Sequence, residues 1–122
     1  MSITLISLSG AQMILNERKR QVEKHGYDGP HDDDHTCAEI ADAAAVFLHA
    51  YQHQACVASY RNGVLIKHET PKASIYKNVE SDASVPLWPW SNMPKISKNK
   101  IRNLVKAGAL IAAEIDRLGR LH

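Results

Sequence analysis

A chain of 122 residues with 44% apolar content can bury one modest core, so a second domain is not expected and any site must be built within that core or with a second subunit. Fifteen Lys and Arg against thirteen Asp and Glu leave a net charge near +2, too small and too dispersed for a basic stripe, so duplex nucleic acid is not an expected partner. Cys37 and Cys56 have no CxxC partner and follow no secretory leader, which fits reduced thiols in a cytoplasmic protein, and the six-residue ITLISL opening is too short to cross a bilayer.

Residues 1–10 read as an N-terminal arm, a short strand or extended segment punctuated by Ser9-Gly10. Strong helix formers then predict a first helix from Ala11 to His25, with Gly26 placed to terminate it. Its apolar stripe is thin, because Glu17, Arg18 and Gln21 interrupt the face that Met13, Ile14, Leu15 and Val22 begin. Such a face either skirts the core or lines a hydrated cavity. Tyr27 to Asp34 reads as turn chemistry, with Asp28-Gly29-Pro30 opposing a helix.

A second helix is predicted from near Thr36 to at least Tyr51, with Ile40, Ala44, Phe47, Leu48 and Tyr51 at helical spacing. It either continues to a stop at Asn62-Gly63 or breaks earlier and leaves a hairpin turning at that dipeptide. Residues 64–97 hold four prolines and no sustained period, and read as a long excursion over the surface of the kind that covers a site. The last helix is predicted from an N-cap near Ser97. Ile101, Leu104, Gly108, Ile111, Ile115 and Leu118 form its apolar stripe, expected to be buried, with Lys106 and Glu114 on the border. The expected fold is all-α: a single domain over 1–122 with three main helices, completed as a homo-oligomer because so little apolar area makes a small core alone.

Several groups are candidates for chemistry. Glu39 and Asp42, three apart on one helix, project from one face and could share a divalent ion; equally, Thr36 and Glu39 have the spacing of a capping box. Glu17 would extend the carboxylate cluster if the first two helices pack together, whereas Glu23 lies beside Lys24 and reads as solvated. Glu114 is a further ligand candidate, or else an ion-pair partner of Arg117 or Lys106. His31 to His35 is rich in ligand types, yet consecutive loop residues do not all reach one ion, and helix capping accounts for the aspartates. Trp88-Pro89-Trp90 either stacks on a base or plugs the open end of the bundle.

The blocks Glu17 to Gln21 (ERKRQ), His31 to Ala44, Trp88 to Trp90 and Leu104 to Leu118 together resemble a family of small proteins encoded by tailed phages and prophages. A more distant resemblance is to MazG-like all-α NTP pyrophosphohydrolases, with Glu39-Ile40-Ala41-Asp42 matching their E-x-x-D. That likeness implies Mg²⁺ held by Glu17, Glu39, Asp42 and Glu114, with catalysis by Glu39, Asp42 and Glu17. It also implies (d)NTP hydrolysis between the α and β phosphates, with a nucleotide held by Lys106, Trp88, Trp90, Arg18 and Gln21. The first helix carries only Glu17 and Glu23 where that superfamily has an E-E-x-x-E cluster. The competing expectation is therefore a non-catalytic phage binder that sequesters a nucleotide signal or blocks a host protein.

Overall fold

The computed structural model describes residues 8–25, 29–33, 38–77 and 84–120. Four helices, one hairpin and one 3-10 turn follow in the order α1 (Gly10–His25), α2 (Gly29–Asp33), α3 (Glu39–Cys56), β1 (Ala58–Arg61), β2 (Val64–His68), the 3-10 helix Ala73–Lys77 and α4 (Lys100–Arg120). The described fold is mostly helical, with three long helices as expected, plus a small two-stranded sheet.

Local chemistry sets most boundaries. Ser9 Oγ accepts from the Gln12 amide at 3.1 Å and caps α1. The start of α4 is capped by Asn99 rather than Ser97: Asn99 Oδ1 accepts from the amides of Ile101 and Arg102, while Ser97 Oγ supports Asn99 from behind. The linker expected to exclude helix instead forms α2, because Pro30 stands in the first turn, where its fixed φ suits a helix and its missing N–H is not needed. α3 begins at Glu39, three residues later than expected, after Ala38 in the left-handed region at φ 68°, and no side chain among the described residues caps it. Gly26, Thr36 and the Asp34-His35 pair lie outside the described residues.

Of the two readings at Asn62-Gly63, the hairpin holds. Asn62 and Gly63 both take positive φ (52° and 77°), the two-residue turn that matches strand twist, and Arg61 pairs with Val64. The 64–97 segment thus holds β2 and the 3-10 helix, and its described residues 84–97 form no helix or strand.

The core is the α3–α4 contact, the most extensive in the molecule. Ala43, Ala44 and Ala50 of α3 share one core cluster with Ala107 and Ala113 of α4, and these small side chains let the backbones approach closely around Ile40, Val46, Phe47 and Leu110. This orientation overturns the expected one for α4. Ile101, Leu104, Ile111, Ile115 and Leu118 point outward at 37–63% exposure, while Asn103, Val105, Ala107, Ala109, Leu110, Ala113 and Arg117 are buried. A stripe of Ile and Leu dominates hydropathy periodicity, but here the alanine face packs because it fits the alanines of α3.

α1 packs on α4 at Gly108, where a Cβ would stand 2.6 Å from Ile14 Cδ1 and 2.9 Å from its Cγ1. Gly108→Val should therefore push α1 off α4 and cost about 1–3 kcal/mol in urea denaturation. Ile14→Ala in the same chain should recover part of that loss, a coupling that independent sites would not show.

Candidate ligand-binding site

The thin apolar stripe of α1 has a local consequence: its polar residues face a cavity between α1, α3, α4 and the 84–97 segment. Glu17, Arg20 and Gln21 form one wall, Phe47, Trp88 and Trp90 the aromatic wall, and Lys95, Lys106 and Leu110 close the remainder with Asn92 and Met93. The space open to the centres of water-sized spheres is about 100 Å³, and the empty space reaches about 540 Å³ only when the open mouth is counted.

The aromatic wall is built in a chain of contacts. Trp88 is buried, stands edge-on to Phe47 at 5.7 Å and edge-on to Trp90 at 5.0 Å, and donates its indole N–H to Asn92 Oδ1 at 3.2 Å. Its backbone N–H donates to the carbonyl of Tyr76, at 2.7 Å. Tyr76 is fully buried, its hydroxyl bonds His49 Nδ1 at 2.9 Å, and burial pushes its phenol pKa up to about 12. Lys77 then gathers the loop, its ammonium donating to the carbonyls of Trp90, Ser91 and Asn92 at 2.6, 3.0 and 3.2 Å. Trp88 belongs to the buried core cluster, as the plug reading of the Trp-Pro-Trp motif expects, and both tryptophans line the cavity.

The polar wall is organised by Glu17, which is buried. Arg20 donates to both its oxygens at 2.8 and 2.9 Å, Arg102 approaches Oε1 at 2.7 Å, and Gln21 Nε2 lies 3.4 Å from Oε2. Burial alone would raise this carboxyl's pKa, but the Arg20 hydrogen bonds and the charges of Arg102 and Arg20 outweigh it, and the net displacement is downward. Because an ionised carboxylate only accepts, it takes the NH₂ of Gln21 and turns the amide oxygen the other way. That Oε1 is buried and has no hydrogen-bond partner among the described residues.

Lys106 carries the positive charge of the opposite wall. Its ammonium lies 5.4 Å from the centre of the Phe47 ring and donates to the Lys95 carbonyl at 2.8 Å. Burial lowers its pKa, as do Arg102, Arg20 and Lys95, against a smaller opposing pull from Glu17. One carboxylate engaged by two guanidiniums leaves the cavity cationic.

Five of the sequence-predicted residues therefore meet in one place: Glu17, Gln21, Trp88, Trp90 and Lys106. The others do not line it. Arg18 pairs with the buried Asp32 at 2.7 Å, and Glu114 pairs with Arg117, its alternative reading. Glu39 is half-buried and Asp42 exposed near the start of α3, where burial, and then the neighbouring Glu39 charge, raise the Asp42 pKa. Glu23 is exposed as expected. The expected ligand set for Mg²⁺ is not assembled: among the described residues no three His, Cys, Asp or Glu side chains are grouped to hold a metal ion, and both oxygens of Glu17 are taken by arginine. Glu17 is thereby engaged, and Glu39 and Asp42 lie outside the cavity.

Arg20, Phe47, Lys95, Asn92 and Met93 were not singled out from the sequence. The ERKRQ block contained the only available signal for Arg20, since an arginine three residues after a glutamate pairs with it on a helix. Among the described residues no helix is long and apolar enough to cross a membrane. Comparison with protein-family models, with curated proteins and with solved structures finds no match to this chain.

Proposed function

We propose that the chain is a nucleotide-binding protein, holding a planar base against Trp88, Trp90 and Phe47 and its phosphates against Lys106, Lys95 and Arg20. The observation that carries this reading is the partly buried Lys106 beside three aromatic rings in one cavity. An aromatic wall offers stacking to any base, and a partly desolvated lysine gains more from an anion than an exposed one does. Binding without turnover fits the way Glu17 is used, as a charge that arranges arginines rather than as a metal ligand or base.

Calorimetry with nucleoside mono-, di- and triphosphates and cyclic nucleotides tests this reading. Micromolar binding to the wild type, weakened about tenfold or more by Lys106→Met, is the expected result. Affinity for phosphate-bearing ligands should also fall as pH rises, at a pH below the ordinary lysine range. The anion favours protonated Lys106, and the downshifted pKa brings loss of that proton to lower pH. Wild-type protein that binds none of the panel would end the proposal.

A second reading, Mg²⁺-dependent (d)NTP pyrophosphohydrolysis, is supported by the E-x-x-D spacing that puts Glu39 and Asp42 three apart in the first turn of α3. Pyrophosphate release that disappears in Asp42→Ala would establish it; release at the level of that variant excludes it.

A further inference from the structure

We propose that the outward face of α4, together with the flank of α1, is the seam of a two-fold dimer of this chain. Ile101, Leu104, Ile111, Ile115 and Leu118, with Gly108 between, are separated by three, four, three, four and three residues, the a and d positions of a heptad pattern carried over three repeats. All five side chains are 37–63% exposed, on the side of α4 turned away from α3. At Gly108 the gap in the stripe is filled from within the chain by Ile14, so α1 rides beside the seam, and on α1 Leu15 and Val22 are exposed at 47% and 38%.

The heptad spacing identifies the occupant. An a/d seam is complemented by another a/d seam, whose side chains enter the holes between its own, and this chain supplies the matching surface. The dimensions agree. A 21-residue helix is about 31 Å long, and with α1 alongside the face is about 20 Å wide, so it projects roughly 600 Å². A standard interface takes about 800 Å² of accessible surface from each partner, close to a tenth of the 8066 Å² of this molecule. A lone monomer would leave this patch at or above the largest that soluble monomers commonly expose.

The chain exposes a second apolar element, the hairpin with Tyr60, Val64 and Ile66, and the test separates the two. Sedimentation velocity on the full chain at micromolar concentrations should give twice the 13.6 kDa chain mass. Ile111→Glu with Ile115→Glu should raise the dimer dissociation constant about 100-fold or more, since each charge would have to be buried unpaired. Ile66→Lys should leave it unchanged. Because residues 111 and 115 already face water, the double variant should keep wild-type far-ultraviolet dichroism, and Leu15→Lys on α1 provides an independent substitution at the same seam. A monomeric wild type overturns the proposal, and so does a dimer lost in Ile66→Lys but kept in both helix variants. The seam does not depend on the nucleotide reading, so failure of either leaves the other standing.

Discussion

Trp88→Ala should destabilise the protein by about 3–5 kcal/mol and abolish ligand binding, the largest loss expected from any single substitution at the cavity. The indole is 6% exposed and sits where three supports meet: the Phe47 edge, the Trp90 edge and the Asn92 side chain that accepts its N–H. Removing it opens a void against Phe47 and Leu110 and leaves the Asn92 oxygen without its donor. In thermal unfolding the loss should exceed about 10 °C. Trp90→Ala is the informative companion, because Trp90 is only half-buried. Its stability loss should be smaller, about 1–2 kcal/mol, while its effect on nucleotide affinity should be comparable. If Trp90→Ala binds as tightly as wild type, the aromatic wall is packing only and the base lies elsewhere.

Much of this fold was legible in the sequence, for reasons that differ by element. α1 and α3 follow helix propensity and periodicity, and the two positive-φ residues at Asn62-Gly63 are a chemical signature that the hairpin alternative read correctly. α2 was missed because Gly29-Pro30 is equally at home in a turn and at a helix start. α4 was found but turned the wrong way round. Its outward Ile and Leu carry nearly all of its hydropathy signal, whereas the alanines that actually pack signal only by their size, which matters in relation to α3 and not along α4 itself. The seam proposed here restores the periodic signal to a physical role, since apolar spacing predicts burial without saying whether the partner is the same chain.

The site divides along the same line. Trp88, Trp90 and Lys106 stand out as residue types that need an explanation wherever they fall, and they do converge. The carboxylate cluster expected around Glu17 does not, because Glu39 and Asp42 sit near the start of α3 and Glu17 satisfies its charge with Arg20 and Arg102 instead. Arg102 lies 85 positions from Glu17, a separation that no local pattern encodes. Lys95 contributes through its carbonyl as well as its side chain, and a backbone acceptor has no sequence signature at all.

Asn103→Leu should cost about 2–4 kcal/mol and weaken nucleotide binding, although Asn103 does not line the cavity. Its side chain is fully buried and at the centre of a closed polar network. Nδ2 donates to Gln54 Oε1 at 2.8 Å and to the Ser97 carbonyl at 2.9 Å, Oδ1 accepts the Ser97 amide at 2.9 Å, and Gln54 Nε2 returns to the Ser97 carbonyl at 2.7 Å and to Thr70 Oγ1 at 3.2 Å. Leucine keeps the number and branching of the side-chain heavy atoms but none of the polarity, so the Ser97 amide and Gln54 Oε1 would both remain buried without their partner. The functional consequence follows through the backbone. Ser97 is two residues from Lys95, whose carbonyl holds the Lys106 ammonium, so freeing Ser97 loosens the acceptor that aims Lys106. Asn103→Asp is the sharper variant, because its oxygen can still accept the Ser97 amide while its second oxygen faces two acceptors, Gln54 Oε1 and the Ser97 carbonyl. It should be as destabilising as leucine at neutral pH and recover on acidification, when the protonated carboxyl regains one donor. A variant whose stability and affinity both match wild type would show that the network is dispensable and that Lys95 is placed by the loop alone.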